Sequence, residues 1–330
     1  MQRTYLDFEA PLAALDQAID AARARGDQAA ERRLEVELEE CARSVTRGLT
    51  PWQRVQLSRH VDRPFSLDYV ARLASEWVEL HGDRLFGDDA AIISGLASRG
   101  GRTLVVVGHQ RGRGTADRVR RNFGMPRPEG YRKARRMFAL AARFGFGVLT
   151  LIDTQGAFPG AESEERGIAE AIAGCLADLA ELPVPIVAAV VGEGGSGGAL
   201  ALAVSDRLLM LEHACLGVIT PEGCASILSR EPSPEAVAAA AASLRLTAAE
   251  LRDLGIADAV VAEPVGGAHR NWAAAAAALG SAIDESFAAL DGLSAGALME
   301  RRAARLRAVG QPAVARLGTP LPARRRRRRA

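Results

Sequence analysis

Apolar positions along this chain change spacing at two places, and the changes divide it. Over 10–25 and 28–46 they recur at helical intervals (Leu12, Leu15, Ile19; Leu34, Leu38, Cys41) on either side of Gly26-Asp27, which predicts a helical hairpin. Thr50-Pro51 reads as a cap with proline at the first helical position. After an interruption at Arg63-Pro64, Ser66-Leu67-Asp68 predicts a helix to about Leu80. A helical region is therefore expected over 1–80. From Ala90 the pattern shortens to β-branched runs: Ala91 to Ala97, then, past Gly100-Gly101, Thr103 to Gly108, two strands joined by a tight turn.

Beyond that point strands alternate with helices. A helix from about Glu129 to Phe144 precedes the strand Gly147 to Asp153. The next helix buries Ile168, Ile172, Cys175, Leu176 and Leu179 on one face, and the strand Val184 to Val191 follows. Further strands are expected near 207–211, 215–219 and 258–262, with helices from Pro221, Ser233, Thr247 and about Asn271. The class is α/β. Two of the units place a glycine-bearing loop at a strand's C-terminal end, 153–160 and 192–198, where sheets of this kind bind ligands.

The second loop carries five glycines in seven residues, Gly192 to Gly198. Without Cβ atoms a ligand can approach the main chain, and the opening N–H groups of the next helix are unpaired and lie at its positive end. Such a turn suits an anion, with backbone N–H groups stabilising a developing oxyanion. Gly194-Gly195-Ser196-Gly197-Gly198 also matches the serine hydrolase elbow. That alternative makes Ser196 the nucleophile and draws Asp253 or Asp258 and His269 from later in the chain. Gly192-x-Gly194-x-x-Gly197 is a weak dinucleotide fingerprint, with only Glu212 for the expected acid.

Composition changes the picture in three respects. The formal charge of +2 includes six consecutive arginines, Arg324 to Arg329, so the rest of the chain carries +2 − 6 = −4. Following Gly318, Pro320 and Pro322, that run reads as a disordered tail over 311–330. Cys41, Cys175, Cys215 and Cys224 form no C-x-x-C pair, which argues against a zinc ribbon or disulfide framework and for ordinary buried thiols. No apolar run approaches the roughly 20 residues of a membrane span, and the N-terminus lacks a signal peptide's apolar core, so a cytoplasmic protein without a membrane partner is expected. His109-Gln110-Arg111-Gly112-Arg113-Gly114 is a basic loop suited to a phosphate or carboxylate, with a solvated loop as the alternative. Lys133, the only lysine, reads as a surface ammonium rather than a biotinyl or Schiff-base residue.

Several separated strings resemble one family: Leu6-Asp-Phe-Glu9, Arg121-Asn-Phe-Gly-Met-Pro126, Pro128-Glu-Gly-Tyr-Arg-Lys133, Gly156-Ala-Phe-Pro-Gly160, Glu164-Glu-Arg-Gly167, Gly192 to Leu200, Pro221 to Leu228 and Gly266-Gly-Ala-His-Arg270. They are similar, and collinear from about residue 5 to 290, to the alpha subunit of bacterial acetyl-CoA carboxylase carboxyltransferase. Asp153-Thr-Gln155-Gly departs from that family's usual Asp-Thr-Pro-Gly. The segment around Ser229–Pro234 looks short, and most family lysines are arginines here.

The resemblance implies a crotonase-like spiral of ββα units over 81–310. It also implies transfer of the carboxyl group of carboxybiotin to acetyl-CoA, giving malonyl-CoA for fatty-acid synthesis. Biotin would arrive on a separate carrier protein, with none attached covalently to this chain and no metal bound by it. A separate beta subunit, in an α2β2 heterotetramer, would supply the acyl-CoA oxyanion hole and a zinc ribbon, and biotin carboxylase would complete the complex. As CO2 leaves, the ureido oxygen becomes an oxyanion. By position, Gly197 and Gly198 would donate their N–H groups to it, with Gly156, Ala157, Phe158, Pro159, Gly160, Gly194, Gly195 and Ser196 lining the carboxybiotin side. A non-catalytic relative is the remaining class.

Overall fold

The computed structural model describes residues 3–309. The chain opens with α1 (Ala10–Ala24) and α2 (Gln28–Arg47), the expected hairpin, followed by α3 (Pro51–Ser58) and α4 (Ser66–Leu73). Asp27 caps α2 through the Ala30 N–H, and Thr50 and Gln53 form a reciprocal capping box on α3. The expected continuation of α4 to Leu80 does not form. Instead β1 (Glu76–Glu79) pairs antiparallel with β2 (Ile92–Arg99). The local sequence Glu-Trp-Val-Glu alternates with period two, and Gly95 lets the Val78 carbonyl approach to 2.1 Å of where a Cβ would stand. Sheet pairing here overrides a helical reading taken from the preceding turn.

Next come β3 (Arg102–His109), α5 (Gly114–Arg120), α6 (Pro128–Phe144), β4 (Gly147–Thr154), α7 (Ala161–Glu165), α8 (Ile168–Glu181), β5 (Ile186–Gly195) and α9 (Ser196–Leu200). The remainder is β6 (Arg207–Leu211), β7 (Cys215–Gly217), α10 (Pro221–Leu228), α11 (Pro234–Leu244), α12 (Ala248–Asp253), β8 (Ala259–Val261), α13 (Trp272–Ala288) and α14 (Ala295–Ala308). The strand order is β1-β2-β3-β4-β5-β6-β8, with β7 pairing the end of β5; β2 and β3 are antiparallel, and the pairs from β3 onward are parallel.

The parallel strands are apolar on both faces because helices cover both. All ten residues of β5 are buried. Val105, Leu149 and Val187 from neighbouring strands join Met137 and Phe138 of α6 and Leu179 of α8 in one core. Between β4 and β5 the register slips after Ile152, so Thr154 pairs with Gly194. Such irregularities re-aim strand ends, and this one lies where the two glycine-bearing loops meet.

Helix α14, which periodicity did not reveal, is pinned by Arg302. That side chain is fully buried, pairs with Asp206 at 2.8 Å, and donates to the carbonyls of Leu179, Leu182 and Val184. Lys133 also departs from expectation. It is 1% exposed and donates to Asp88 at 2.6 Å and to the Asp89 carbonyl at 2.8 Å, so it is an internal clasp rather than a surface charge. Cys175 and Cys215 are buried, Cys41 and Cys224 partly so. Among the described residues no helix is long and apolar enough to cross a membrane. The arginine run lies outside the described residues.

Candidate active site

Strand β5 ends at Gly195 and the chain turns at once into α9, with Ser196 at φ +55. That left-handed conformation is uncommon for a residue with a Cβ and holds the turn sharp. Among the described residues none of the turn or loop backbone hydrogen bonds starts from the N–H of Gly197 or Gly198, as expected for the first turn of a helix.

The glycines divide by what surrounds them. A Cβ on Gly195 would stand 2.0 Å from the Gln155 carbonyl oxygen, and one on Gly198 2.4 Å from the Ala157 nitrogen and 2.7 Å from the Gly156 carbonyl carbon. Their missing side chains let the 153–160 loop lie directly on the turn. Gly197 is different: a Cβ there would meet only Ile172, at 3.9 Å. The sequence reading had the glycines clear room for a ligand. The structure instead uses Gly195 and Gly198 to lock two loops together and leaves Gly197, half-buried, on the open side.

The partner loop is tied down in turn. Thr154 Oγ1 donates within reach of the Gly124 and Gly156 carbonyls (2.7 and 2.8 Å) and accepts from the Gly156 N–H. The Phe158 N–H reaches the Pro126 carbonyl at 2.9 Å, and the Arg127 guanidinium lies 5.2 Å from the centre of the Phe158 ring. Pro159 and Gly160 complete the bend into α7, and Arg127 pairs with Glu162 at 2.9 Å. Gly156 and Ala157 are therefore brought against Gly198, and Gln155 against Gly195, while Phe158 to Gly160 run on toward α7.

Behind the turn runs a chain of charges whose members sequence reasoning did not connect. Glu193, just before the glycines, pairs with Arg59 at 2.7 Å and with Arg111 at 3.1 Å. Arg59 also holds Glu222 at 2.6 Å, and Arg111 stands 3.2 Å from Asp153. Burial pushes the Asp153 carboxyl above its ordinary range, with Arg111 and Arg63 pulling the other way. Burial opposes the charge on Arg59 as well, but Glu222 and Glu193 outweigh it and raise its pKa. Arg59, Arg111, Glu193 and Glu222 line an open cavity of about 390 Å³ together with Phe123, Gln155 and Arg118. The basic loop is thus absorbed at Arg111 into an ion network. The signals for it in sequence were Glu193 and the basic loop at Arg111, and nothing joined them, since arginines 82 and 134 residues from Glu193 carry no spacing rule.

The serine hydrolase reading is overturned. Ser196 Oγ makes no hydrogen bond among the described residues, and the required histidine is engaged elsewhere: His269 Nε2 lies 2.9 Å from Glu9, and its ring centre is 4.2 Å from that of His60. Asp258 accepts from the Leu208 N–H and pairs with Arg305. Among the described residues no acid-histidine pair is assembled at Ser196.

A parallel core whose strand ends carry interlocked glycine turns defines the class: this is the crotonase-like fold of carboxyltransferases. It is shared with a malonate decarboxylase hetero-tetramer from Pseudomonas solved with coenzyme A (TM-score 0.57, 20% identity, 76% of this chain and 97% of that one). It is also shared with the transcarboxylase 12S subunit (TM-score 0.53, 18% identity, 68% of this chain and 41% of that one). The chain belongs to the family described as acetyl co-enzyme A carboxylase carboxyltransferase-like, which it matches over residues 5–310. It is 50% identical over 317 residues (94% of this chain, 99% of the relative) to the acetyl-coenzyme A carboxylase carboxyl transferase subunit alpha of Sorangium cellulosum, and 48% identical over 318 residues (94% and 99%) to that of Halorhodospira halophila.

Proposed function

We propose that this chain works as the alpha subunit of a biotin-dependent carboxyltransferase, moving a carboxyl group from carboxybiotin to acetyl-CoA to form malonyl-CoA, with the turn at Gly197 and Gly198 as its oxyanion site. Family membership carries the reaction, and the open Gly197 backbone at the start of α9 supports the site. Unpaired main-chain donors are the right chemistry for a neutral ring whose oxygen gains charge, and the carboxylate at the turn, Glu193, is engaged with Arg59 and Arg111. Carboxybiotin, when bound, supplies the carboxyl group and the ureido oxygen. The N–H groups of Gly197 and Gly198 hold the negative charge on that oxygen, and the 153–160 loop keeps the donors in place. Biotin arrives on a carrier protein, and biotin carboxylase recharges it. The beta subunit, in an α2β2 assembly of the cytoplasm, brings the thioester oxyanion hole.

Two measurements test this. The purified chain, assayed for malonyl-CoA decarboxylation with biocytin as acceptor, should be inactive alone and active with a beta subunit; full activity alone would refute the division of labour. In the assembled enzyme Ser196→Ala should retain kcat within about tenfold, or about 1.4 kcal/mol. Gly197→Pro, which deletes one donor in the part of the turn with open space, should lose about 10²-fold or more at an unchanged Tm. The reverse pattern would favour a serine nucleophile.

A further inference from the structure

On its inner side the turn meets polar atoms that have no partners. Tyr131, in α6, is 0% exposed and its hydroxyl makes no hydrogen bond, although it stands 2.9 Å from where a Cβ on Gly198 would sit. His109, the last residue of β3, is equally buried, and neither ring nitrogen completes a hydrogen bond. The carbonyls of Gly198 and Leu151 flank that ring closely enough to favour its protonated form, yet short of hydrogen-bond geometry. Both side chains converge on one residue. Leaving a buried polar group unpaired costs stability, and this core pairs others: Ser66, Thr150 and Thr154 all donate to carbonyls.

Gly198 itself leaves complementary groups over. In a continuing helix its carbonyl would accept from the Leu202 N–H, but that N–H goes to Ala199 at 3.1 Å. The Ala157 N–H, on the other side of Gly198, has no acceptor among the described residues. A donor beside the Gly198 carbonyl and an acceptor beside the Ala157 N–H are what His109 and Tyr131 offer.

We propose that Tyr131 and His109 are positioning residues for carboxyl transfer, His109 donating to the Gly198 carbonyl and Tyr131 accepting from the Ala157 N–H, so that the first turn of α9 and the loop packed on it hold still while charge builds at the N–H donors. The proposal rests on the oxyanion reading above. Hydrogen bonds that are long in a free enzyme commonly close in the working complex, and a slight settling of α9 onto His109 and of the 153–160 loop onto Tyr131 would close these two. Burial pushes His109 down to about 3, so the imidazole stays neutral at working pH and has one N–H to give. The grip is a hydrogen bond and not a charge.

The test uses the chain assembled with a beta subunit, in malonyl-CoA decarboxylation with biocytin, reading kcat, KM for malonyl-CoA and Tm. Tyr131→Phe and His109→Leu are each expected to lower kcat about tenfold, less than the roughly 10²-fold that about 1 Å of misplacement can cost, with KM within about twofold and Tm not lowered. His109→Gln, which returns a donor, should recover most of the rate with an unshifted pH profile. Unchanged kcat in Tyr131→Phe and His109→Leu overturns the proposal. So does a loss that follows a fall in Tm and is not recovered by glutamine. Gly197→Pro in the same series keeps the two ideas apart. If it retains full rate, the oxyanion reading has failed; if it alone loses rate, only the positioning role has.

Discussion

At the N-terminal arm Glu9 accepts from the Leu6 N–H at 2.9 Å and lies 2.9 Å from His269, while Asp16 gathers Arg3, Tyr5 and Arg270; around Gly198 a tyrosine hydroxyl and an imidazole are buried with nothing to hold. Glu9, His60 and His269 bring ligand atoms within 4.8 Å of one another, as a metal site would. The Asp62 N–H donates to His60 Nδ1, however, which puts the ring's proton on Nε2 facing the Thr4 carbonyl. With that nitrogen occupied the trio is a fastening that ties the arm to the core. Pairing polar groups secures geometry at rest, and leaving them unpaired gives up some stability for a readiness to bond later. The first kind should report in Tm and the second in kcat.

The sharpest break in that comparison is Arg302→Ala. Removing one partner of a fully buried ion pair strands Asp206 and three carbonyls, and unfolding free energy should fall by about 3–5 kcal/mol. Turnover per folded molecule should hold; denaturant titration beside kcat decides. Gly198→Ala should act on both readouts. Its Cβ has backbone on one side and Tyr131 on the other, so about 1–3 kcal/mol of overpacking is expected, with kcat down by about 10²-fold as the donors move. Gly197→Ala, facing open space, should leave Tm nearly unchanged and serves as its control.

Acid sharpens the contrast next. Burial lowers His109 to about 3, and burial followed by the neighbouring His269 lowers His60 to about 4. The unfolded chain takes up protons near 6.5 while the folded chain resists, so this stability is fully present above about pH 6.5 and is lost as pH falls toward 4 and then 3. Burial works against the Glu263 carboxylate, but Arg63 and His213 bring it to about 2, so its contribution is lost only between about pH 4.5 and 2. Tm should therefore begin to drop below pH 6.5, before carboxylates titrate, and His109→Gln should make that early slope shallower. The smallest effect is Glu9→Gln: about 1–2 kcal/mol lost as the charged hydrogen bond to His269 weakens, at unchanged kcat.

Most of the fold was legible because periodicity reports burial directly. The hairpin boundaries, the run into β5 and the helix after Pro128 needed nothing beyond local spacing. What escaped was set by distant partners. Trp77 and Val78 become strand only because Gly95 lies beside them, and α14 is placed by an arginine that bonds Asp206, 96 residues earlier. At the site the glycine turn and the 153–160 loop were both visible. Their interlocking was not, because a missing Cβ reads the same in sequence whether a ligand or another backbone fills the space. His109 and Tyr131 stood inside strings that had been singled out, and their significance lies in bonds they do not make.

Arg302 also has a bearing on how the chain is made. The carbonyls it satisfies belong to 179–184, at the doorway of the central strand, and the guanidinium that answers them is translated about 120 residues later. At roughly 5–20 residues per second, a nascent chain waits on the order of ten seconds with that end of α8 unsatisfied. Until Arg302 is made, the carbonyls at the entry to β5 lack the donor that the finished fold gives them.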